Sequence, residues 1–221
     1  IYVHTPGGES VLVDGGDLSQ YVDTGERILV PFLRARGVAK LDRVILTHPH
    51  RDHIGGLLTV FEKMRVGELM LGSELRAHEP ESEEARMAAL CARHGIPVRK
   101  VQAGDTVALA GASLEILHPD AARADAPNPN NRSVVCRLRW PGGSLLLTGD
   151  IEQPAEEALC GADCRSDVLK VPHHGSDTSS TGPFLDAVAP RYAIVSTGAW
   201  RGGDRVPHAV LERYRQRGIE V

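Results

Sequence analysis

Three histidines and an aspartate lie close together in the segment His48-Pro49-His50-Arg51-Asp52-His53, directly after an apolar run that ends at Leu46. Neutral imidazole and carboxylate groups are the ligands that zinc, manganese and iron accept in proteins. A solvated polar loop is the alternative, but one loop seldom holds so many titratable groups unless they serve a site. We therefore interpret the segment as a metal-binding loop and call it the histidine loop.

The spacing within the histidine loop predicts two metal positions. Alternate residues of an extended chain share a face, so His48 and His50 are expected to point the same way and to hold one ion. Asp52 and His53 follow where the chain enters a helix, and they can hold a second ion. Taken by itself, the loop therefore predicts a centre with two metal ions.

Two more polar clusters follow apolar runs in the second half of the chain. Asp150 ends a Thr-Gly-Asp turn, and His173-His174-Gly175-Ser176 follows another apolar run. Taken alone, each is more often an ordinary turn or loop than a ligand. Because ligand sites in α/β proteins favour loops at strand ends, we expect both clusters to converge with the histidine loop. Asp150 would then lie between the ions, and His173 or His174 would complete the second position.

Apolar periodicity and turn residues predict the elements that carry these loops. Strands are predicted over 1–4, 10–13, 43–47, 68–72, 106–109, 113–117, 133–140, 144–148, 168–171 and 192–196. Helices are predicted over 30–37, 55–64, 80–94, 154–160, 184–188 and 208–217. Residues 121–131, rich in Ala, Pro, Asn and Asp, are predicted to form a mobile loop. Two sets of strands with helices outside predict a mixed α/β (α+β) protein, a four-layer αββα sandwich.

Length and composition fit one large domain over residues 1–221. The net charge of -4 gives no global basic field of the kind that attracts nucleic acid, although a local basic groove is compatible with it. No apolar run reaches the roughly 20 residues that span a bilayer. The chain opens at Ile1 without a signal-peptide pattern. We expect a domain excised from a longer protein.

The four cysteines give little functional information. Cys91 and Cys136 lie in apolar surroundings and are predicted to be core residues. Cys160 and Cys164 are close in sequence, but their spacing is neither that of a zinc knuckle nor that of a redox pair. A disulfide between them stays open at this point.

The order of the motifs resembles the metallo-β-lactamase superfamily. The resemblance rests on Asp14-Gly15-Gly16, the histidine loop, Asp150 and His173-His174-Gly175-Ser176. Asn130-Asn131-Arg132-Ser133-Val134-Val135, Leu147-Thr148-Gly149-Asp150 and Leu169-Lys170-Val171-Pro172 resemble, more specifically, the C-terminal domain of the ComEC-like family of DNA-uptake competence proteins. The resemblance covers nearly the whole chain and implies an αββα fold with a di-metal hydrolase site.

The resemblance also implies roles for single residues. The first metal would be held by His48, His50 and Asp150, and the second by Asp52, His53, Asp150 and one of His173 and His174. His174 is favoured as the ligand and His173 as the group that faces a phosphate. Asp14 would orient a ligand histidine from outside the metal centre. The cofactors would be two divalent ions, Mn²⁺ or Zn²⁺.

One departure from the superfamily pattern concerns the first metal. Hydrolytic lactamases have a metal-binding histidine in the loop before the Asp150 strand, and here Asn130-Asn131-Arg132-Ser133 occupies that place. His118 lies further back and is interpreted as a strand-end residue. An amide oxygen is a poorer zinc ligand than imidazole, so we expect a weaker first site and favour manganese. Asn131 and Ser133 become candidate donors to a substrate phosphate.

The second departure lies near the C-terminus. The family's Gly-His-Pro run is replaced by Gly203-Asp204-Arg205-Val206-Pro207-His208, where Arg205 or His208 can contact phosphate instead. A basic groove for a DNA backbone would draw on Arg132, Arg137, Arg139, Lys170, Arg201 and Arg205, each of which can equally be a solvated cation. Trp140 and Trp200 are the best candidates for base stacking, although Trp140 is expected in the core.

The leading hypothesis is metal-dependent hydrolysis of a phosphodiester, and the resemblance implies that the substrate is DNA. Asp52 would orient the attacking water, His173 would donate a proton, and Lys170 would stabilise charge on the phosphate. The alternatives are an esterase for small phosphodiester or phosphocholine-type substrates, and a non-catalytic domain that binds DNA or supports a membrane channel. The intact histidine loop argues against a degenerate domain.

The resemblance further implies a cellular setting. The parent protein would be a bacterial plasma-membrane channel for incoming DNA, with this domain beside the pore, on the extracytoplasmic face. Its partners would be the backbone of single-stranded DNA and the transmembrane channel of the same protein. Degrading the strand that is not imported would be its role.

Overall fold

In the computed structural model, which describes residues 1–76, 79–197 and 206–221, the chain divides into two units, Ile1–Val101 and Gln102–Val221. Among the described residues, each unit contains one large sheet and three α-helices. That residues 1–221 act as one domain stays a prediction.

The sheet of the first unit has the strand order β1-β2-β4-β6-β7. The strands of this unit are β1 (Tyr2–His4), β2 (Ser10–Val13), β3 (Lys40–Leu41), β4 (Arg43–Leu46), β5 (Arg65–Val66), β6 (Leu69–Leu71) and β7 (Val98–Lys100). β1 and β2 are antiparallel, and the other neighbours are parallel. β3 and β5, which sequence analysis did not predict, form a separate two-stranded parallel sheet.

The central strand β4 shows why this sheet forms. Val44, Ile45 and Leu46 are almost completely buried, as expected of a parallel strand covered on both faces. Three helices, α1 (Val30–Ala35), α2 (Arg51–Lys63) and α3 (Glu83–His94), contribute apolar side chains to the same core. α3 begins three residues after the predicted start at Pro80. Ser82 caps the helix, and its side chain accepts a hydrogen bond from the Ala85 amide.

The start of α2 corrects the sequence-based boundary, which placed it at Gly55. The helix begins at Arg51, because His50 is extended and its carbonyl accepts from the amides of both His53 and Ile54. Asp52 and His53 therefore lie in the first helical turn. A turn of π-helix, Gly25–Leu29, precedes α1 and was not predicted.

The sheet of the second unit has the order β13-β12-β11-β10-β9-β8. Its strands are β8 (Thr106–Leu109), β9 (Ala112–His118), β10 (Val135–Trp140), β11 (Gly143–Leu147), β12 (Val168–Lys170) and β13 (Tyr192–Ile194). Its helices are α4 (Gln153–Leu159), α5 (Gly182–Val188) and α6 (His208–Arg215). β8 to β11 are antiparallel, and β11 to β13 are parallel, so β11 and β12 deliver their following loops from the same edge of the sheet.

Several sequence-based expectations about single residues are settled in these units. Cys91 and Cys136 are buried, as predicted, while Cys160 and Cys164 are free thiols rather than a disulfide. Trp140 is 38% exposed, so its expected place in the core was wrong. It ends β10, where the ring lies against the turn at Gly142 and Gly143 instead of the sheet interior.

The polar stretch 121–131 is more ordered at its end than a mobile loop would be. Its last residues enter a 3-10 turn, Pro129–Arg132, that buries Asn130 and Asn131.

Within the described part of the chain, no helix is long and apolar enough to cross a membrane.

Close backbone contact joins the loop after β2 to the first turns of α2. The Gly15 amide donates to the His53 carbonyl at 2.7 Å, and the Gly56 amide donates to the Gly16 carbonyl at 2.9 Å. A Cβ at Gly56 would lie 2.0 Å from the Gly15 oxygen. Only a residue without a side chain therefore allows this approach.

We expect Gly56→Ala to lower the free energy of unfolding by about 2–3 kcal/mol, the upper part of the range for overpacking, because the new methyl meets backbone that has little room to move. Urea denaturation checks this. Gly161→Ala is the matched control, since its Cβ would meet nothing nearer than 3.7 Å. Equal midpoints for the two variants would contradict the close-contact explanation.

Candidate metal centre

The first unit brings the three histidines of the loop together. The ring centroids of His48 and His50 are 4.7 Å apart, and those of His48 and His53 are 4.1 Å apart. His48 and His53 are buried, at 2% and 4% exposure, although an uncompensated imidazole is costly to bury. The expectation that His48 and His50 share a face agrees with this clustering.

Asp14 lies behind these rings, at the end of β2. Its Oδ2 is 2.9 Å from His53 Nδ1, its Oδ1 accepts from the Thr47 amide at 2.9 Å, and the Thr47 hydroxyl donates to Oδ2 at 2.9 Å. Burial raises the pKa of Asp14, but the His53 ring and these hydrogen bonds outweigh it, so the pKa is lowered. The predicted role of Asp14, orienting a ligand histidine, fits these contacts.

The hydrogen bond to Asp14 fixes the tautomer of His53. A carboxylate only accepts, so His53 Nδ1 carries the proton and Nε2 presents its lone pair on the opposite side of the ring. Nε2 lies 3.6 Å from Asp52 Oδ2. Two lone-pair atoms at this separation repel each other unless a proton or a cation lies between them. Asp52 and His53 therefore offer candidate ligand atoms for a cation.

The second unit repeats this arrangement with different residues. His174 Nδ1 lies 2.7 Å from the Ser196 carbonyl oxygen, which only accepts, so Nδ1 carries the proton. His174 Nε2 lies 3.4 Å from Asp150 Oδ2, and Asp150 is 2% exposed. As in the first unit, a nitrogen lone pair faces a carboxylate oxygen. The donor set of imidazole nitrogen and carboxylate oxygen fits zinc or manganese.

His173 and His174 are separated by their backbone conformation. Both are in the left-handed region, with φ of 48° and 54°, which non-glycine residues seldom adopt and which clusters at functional sites. His173 Nδ1 lies 3.2 Å from Thr178 Oγ1 and 3.5 Å from Glu152 Oε1, away from the Asp150 contact. His174 rather than His173 therefore faces Asp150, and its role as the metal ligand stays a prediction.

Glu152, which sequence analysis missed, organises the loop that replaces the expected histidine. Its two carboxylate oxygens accept from the side-chain amides of Asn128 and Asn130, at 3.0 and 2.9 Å. Its own amide donates to Asn131 Oδ1 at 3.0 Å. The only sequence signal for Glu152 is its position two residues after Asp150, because its partners are remote in the chain.

Asn131 and Ser133 have different environments. The Asn131 Oδ1 atom is held by Glu152, and its Nδ2 group has no hydrogen-bond partner within residues 1–76, 79–197 and 206–221. Ser133 is completely buried, and its Oγ accepts from the Asp150 amide at 3.2 Å. Ser133 therefore supports Asp150 and is not placed to contact a substrate phosphate, which corrects its sequence-based role.

His118 ends β9, as expected. Its Nδ1 lies 2.9 Å from the Ser133 carbonyl oxygen, and Nε2 has no hydrogen-bond partner among the described residues. Burial lowers the pKa of His118 and outweighs the hydrogen bond to Ser133, which keeps the ring neutral.

The predicted basic groove is not supported by the described residues. Arg132, Arg137 and Lys170 are buried, at 5%, 4% and 7% exposure. Arg137 is paired with Glu115 at 2.6 Å and with Asp163 at 3.2 Å, so its charge is balanced within the unit. Arg139, which is more exposed, is paired with Glu115 at 2.9 Å. Trp200, Arg201 and Arg205 lie outside the described residues.

Comparison with known proteins identifies the relatives of this chain. "Competence protein ComA" of Neisseria gonorrhoeae is 35% identical over 97% of the chain, and "ComE operon protein 3" of Bacillus subtilis is 33% identical over 89%. The chain spans 29% and 25% of the lengths of these two relatives. The resemblance to ComEC-like competence proteins is thereby confirmed.

A solved structure and a family model define the fold. The metallo-β-lactamase SMB-1 bound to 2-mercaptoethanesulfonate superposes with a TM-score of 0.54 at 14% identity, covering 98% of this chain and 88% of SMB-1. The expected metallo-β-lactamase fold is confirmed. The model of the metallo-beta-lactamase superfamily matches residues 1–199, and the chain therefore belongs to this superfamily.

Proposed function

We propose that this chain is a metal-dependent phosphodiesterase that acts on DNA, and that an Asp–His pair in each unit provides metal ligands. The observation that carries the proposal is shared by both units: a histidine with a protonated Nδ1 points Nε2 at an aspartate oxygen, for His53 with Asp52 and His174 with Asp150. Each of these residues offers a ligand atom. His48 and His50 would complete the first metal position.

Divalent metals in such a centre supply Lewis acidity to a phosphodiester and to water. Asp52, which is half exposed, would accept a hydrogen bond from the attacking water and orient it. His173 would donate a proton to the leaving oxygen, and the Glu152 and Thr178 contacts at its Nδ1 keep Nε2 directed elsewhere. Lys170 would stabilise charge on the phosphate from its largely buried position.

The loop that lacks the metal-binding histidine of the lactamases supports a phosphodiester as the substrate. Asn131 offers amide hydrogens where those enzymes have a metal-binding imidazole, and amide donors suit the non-bridging oxygens of a phosphodiester. ComA is named as a competence protein, and we carry that context to this chain. We propose that the substrate is the single-stranded DNA left outside during uptake, and that the domain lies beside the channel on the extracytoplasmic face.

The central test is cleavage of labelled single-stranded DNA by the 221-residue chain with added Mn²⁺, Zn²⁺ or EDTA. We expect metal-dependent cleavage, and a loss of more than about 100-fold in Asp52→Ala and His174→Ala, because even the outer partners of metal ligands are worth about 10–100-fold. Small phosphodiesters serve as a second substrate panel.

Matched controls come from the same protein. Glu62→Ala removes an exposed carboxylate from the same helix as Asp52, and His94→Ala removes an exposed imidazole from α3. Both should cleave like the parent chain. DNA that survives every metal, or Asp52 and His174 variants that cut normally, would refute the nuclease proposal. Cleavage of the small esters alone would replace DNA as the substrate.

The first metal position should be the weaker one, because no histidine occupies the loop at residues 130–133. We expect metal analysis of the purified chain to find about one tightly held ion, with a second ion bound only when excess metal is present. Manganese should support more cleavage than zinc. Two equivalents of zinc that survive extensive dialysis would contradict this assignment.

Asn131→Asp tests the phosphate contact. The new carboxylate keeps an oxygen for the Glu152 amide but replaces the amide donor with a negative charge. We expect a loss of about 10–100-fold in kcat/KM, the value of a hydrogen bond to a charged group. Gln102→Glu makes the same change of charge at an exposed position outside the site. Equal kinetics in the two variants would remove Asn131 from the proposal.

A further inference from the structure

The hydroxyl of Thr47 lies among three groups of the histidine loop. Its Oγ1 is 2.9 Å from Asp14 Oδ2, 3.1 Å from His48 Nδ1 and 3.4 Å from His53 Nδ1. Thr47 is 2% exposed, so water has little access to these contacts. A hydroxyl has one hydrogen to donate and lone pairs with which to accept.

The direction of each hydrogen bond follows from Asp14. Its carboxylate accepts only, so the single Thr47 hydrogen points to Asp14 Oδ2. With its hydrogen used, Thr47 Oγ1 can only accept from His48, and the proton between them must belong to His48 Nδ1. His53 receives the same tautomer by its direct contact with Asp14. Both rings therefore carry the proton on Nδ1.

We propose that Thr47 is a positioning residue. Asp14 orients the Thr47 hydroxyl, which in turn accepts the Nδ1 proton of His48, so that one buried aspartate sets the tautomer of two ligand histidines. This inference rests on the proposed function, in which His48 serves the first metal position and His53 the second. One Asp–Thr pair then prepares an Nε2 lone pair for each position. The relay matters most for the first position, which lacks the third histidine of the lactamases.

Removing the Thr47 hydroxyl should weaken metal binding at the first position. Without the hydroxyl, His48 Nδ1 loses its acceptor, and the neutral ring is free to carry its proton on Nε2. A metal could then bind His48 only after the proton had moved away from Nε2. We expect Thr47→Val, which keeps the shape of the side chain, to weaken the first metal by about 10–100-fold, and Thr47→Ser to bind within about 3-fold of the parent chain.

The test uses the metal-free 221-residue chain labelled with ¹⁵N. Long-range ¹H–¹⁵N correlation spectra report which nitrogen of each neutral imidazole carries the proton. The parent chain and Thr47→Ser should show Nδ1–H for both His48 and His53. Thr47→Val should lose this signature at His48 and keep it at His53, whose contact with Asp14 is direct. Competition with a chelator then measures the affinity of each variant for Mn²⁺ and Zn²⁺.

Thr59→Val is the matched control. Thr59 is a buried threonine of α2 whose hydroxyl donates to Asp23 Oδ2 at 2.6 Å, so the substitution removes a comparable hydrogen bond from the same unit. It should leave both tautomers and the metal affinity unchanged. A loss of affinity equal to that of Thr47→Val would show a general effect on stability and would overturn the relay.

The parent chain alone can also overturn the inference. An Nε2 proton on His48 in its spectrum would do so even if Thr47→Val failed to fold, and so would an unchanged His48 tautomer in a folded Thr47→Val. The proposed function fails separately: if the tautomers and affinities behave as expected but no DNA is cut, the relay stands and the nuclease does not.

Discussion

The contact between two backbones, without any side chain between them, is the constraint on which the first half of the candidate centre depends. Gly15 and Gly56 touch through their main chains, which places the end of β2 against the first turns of α2. Asp14 is the residue immediately before this contact, in a left-handed conformation with φ of 58°. Its carboxylate is thereby held against Thr47 and His53, a contact that side-chain flexibility alone would not maintain.

In each unit a histidine donates its Nδ1 proton to an acceptor, but the acceptor is chemically different. In the first, an ionised carboxylate holds the proton on Nδ1 of His53, and in the second a neutral backbone carbonyl does so for His174. A carboxylate increases the basicity of the opposite nitrogen more than a carbonyl does. The His53 lone pair is accordingly the better donor of the two.

The candidate ligands were easier to predict from the sequence than the residues that support them. The histidine loop, Asp150 and the His173–His174 pair could be recognised because each is a cluster of unusual residues at the end of an apolar run. Most strands were predicted for the same reason, since their buried runs are continuous. Glu152 and Thr47 could not be assigned roles from the sequence, because their partners include residues 21 and 33 positions away in the chain. The start of α2 was misplaced because His50 caps it without a recognised capping side chain.

The consecutive left-handed residues after β12 give each histidine its own direction. His174 turns to Asp150 and His173 to Glu152, although only one peptide bond separates them. The length of this short loop therefore determines which carboxylate each histidine contacts. Inserting or deleting one residue between Lys170 and Ser176 would break the consecutive left-handed pair and move both rings from their present carboxylates. Natural variation in this chain should accordingly change the length of surface loops while leaving this one at constant length.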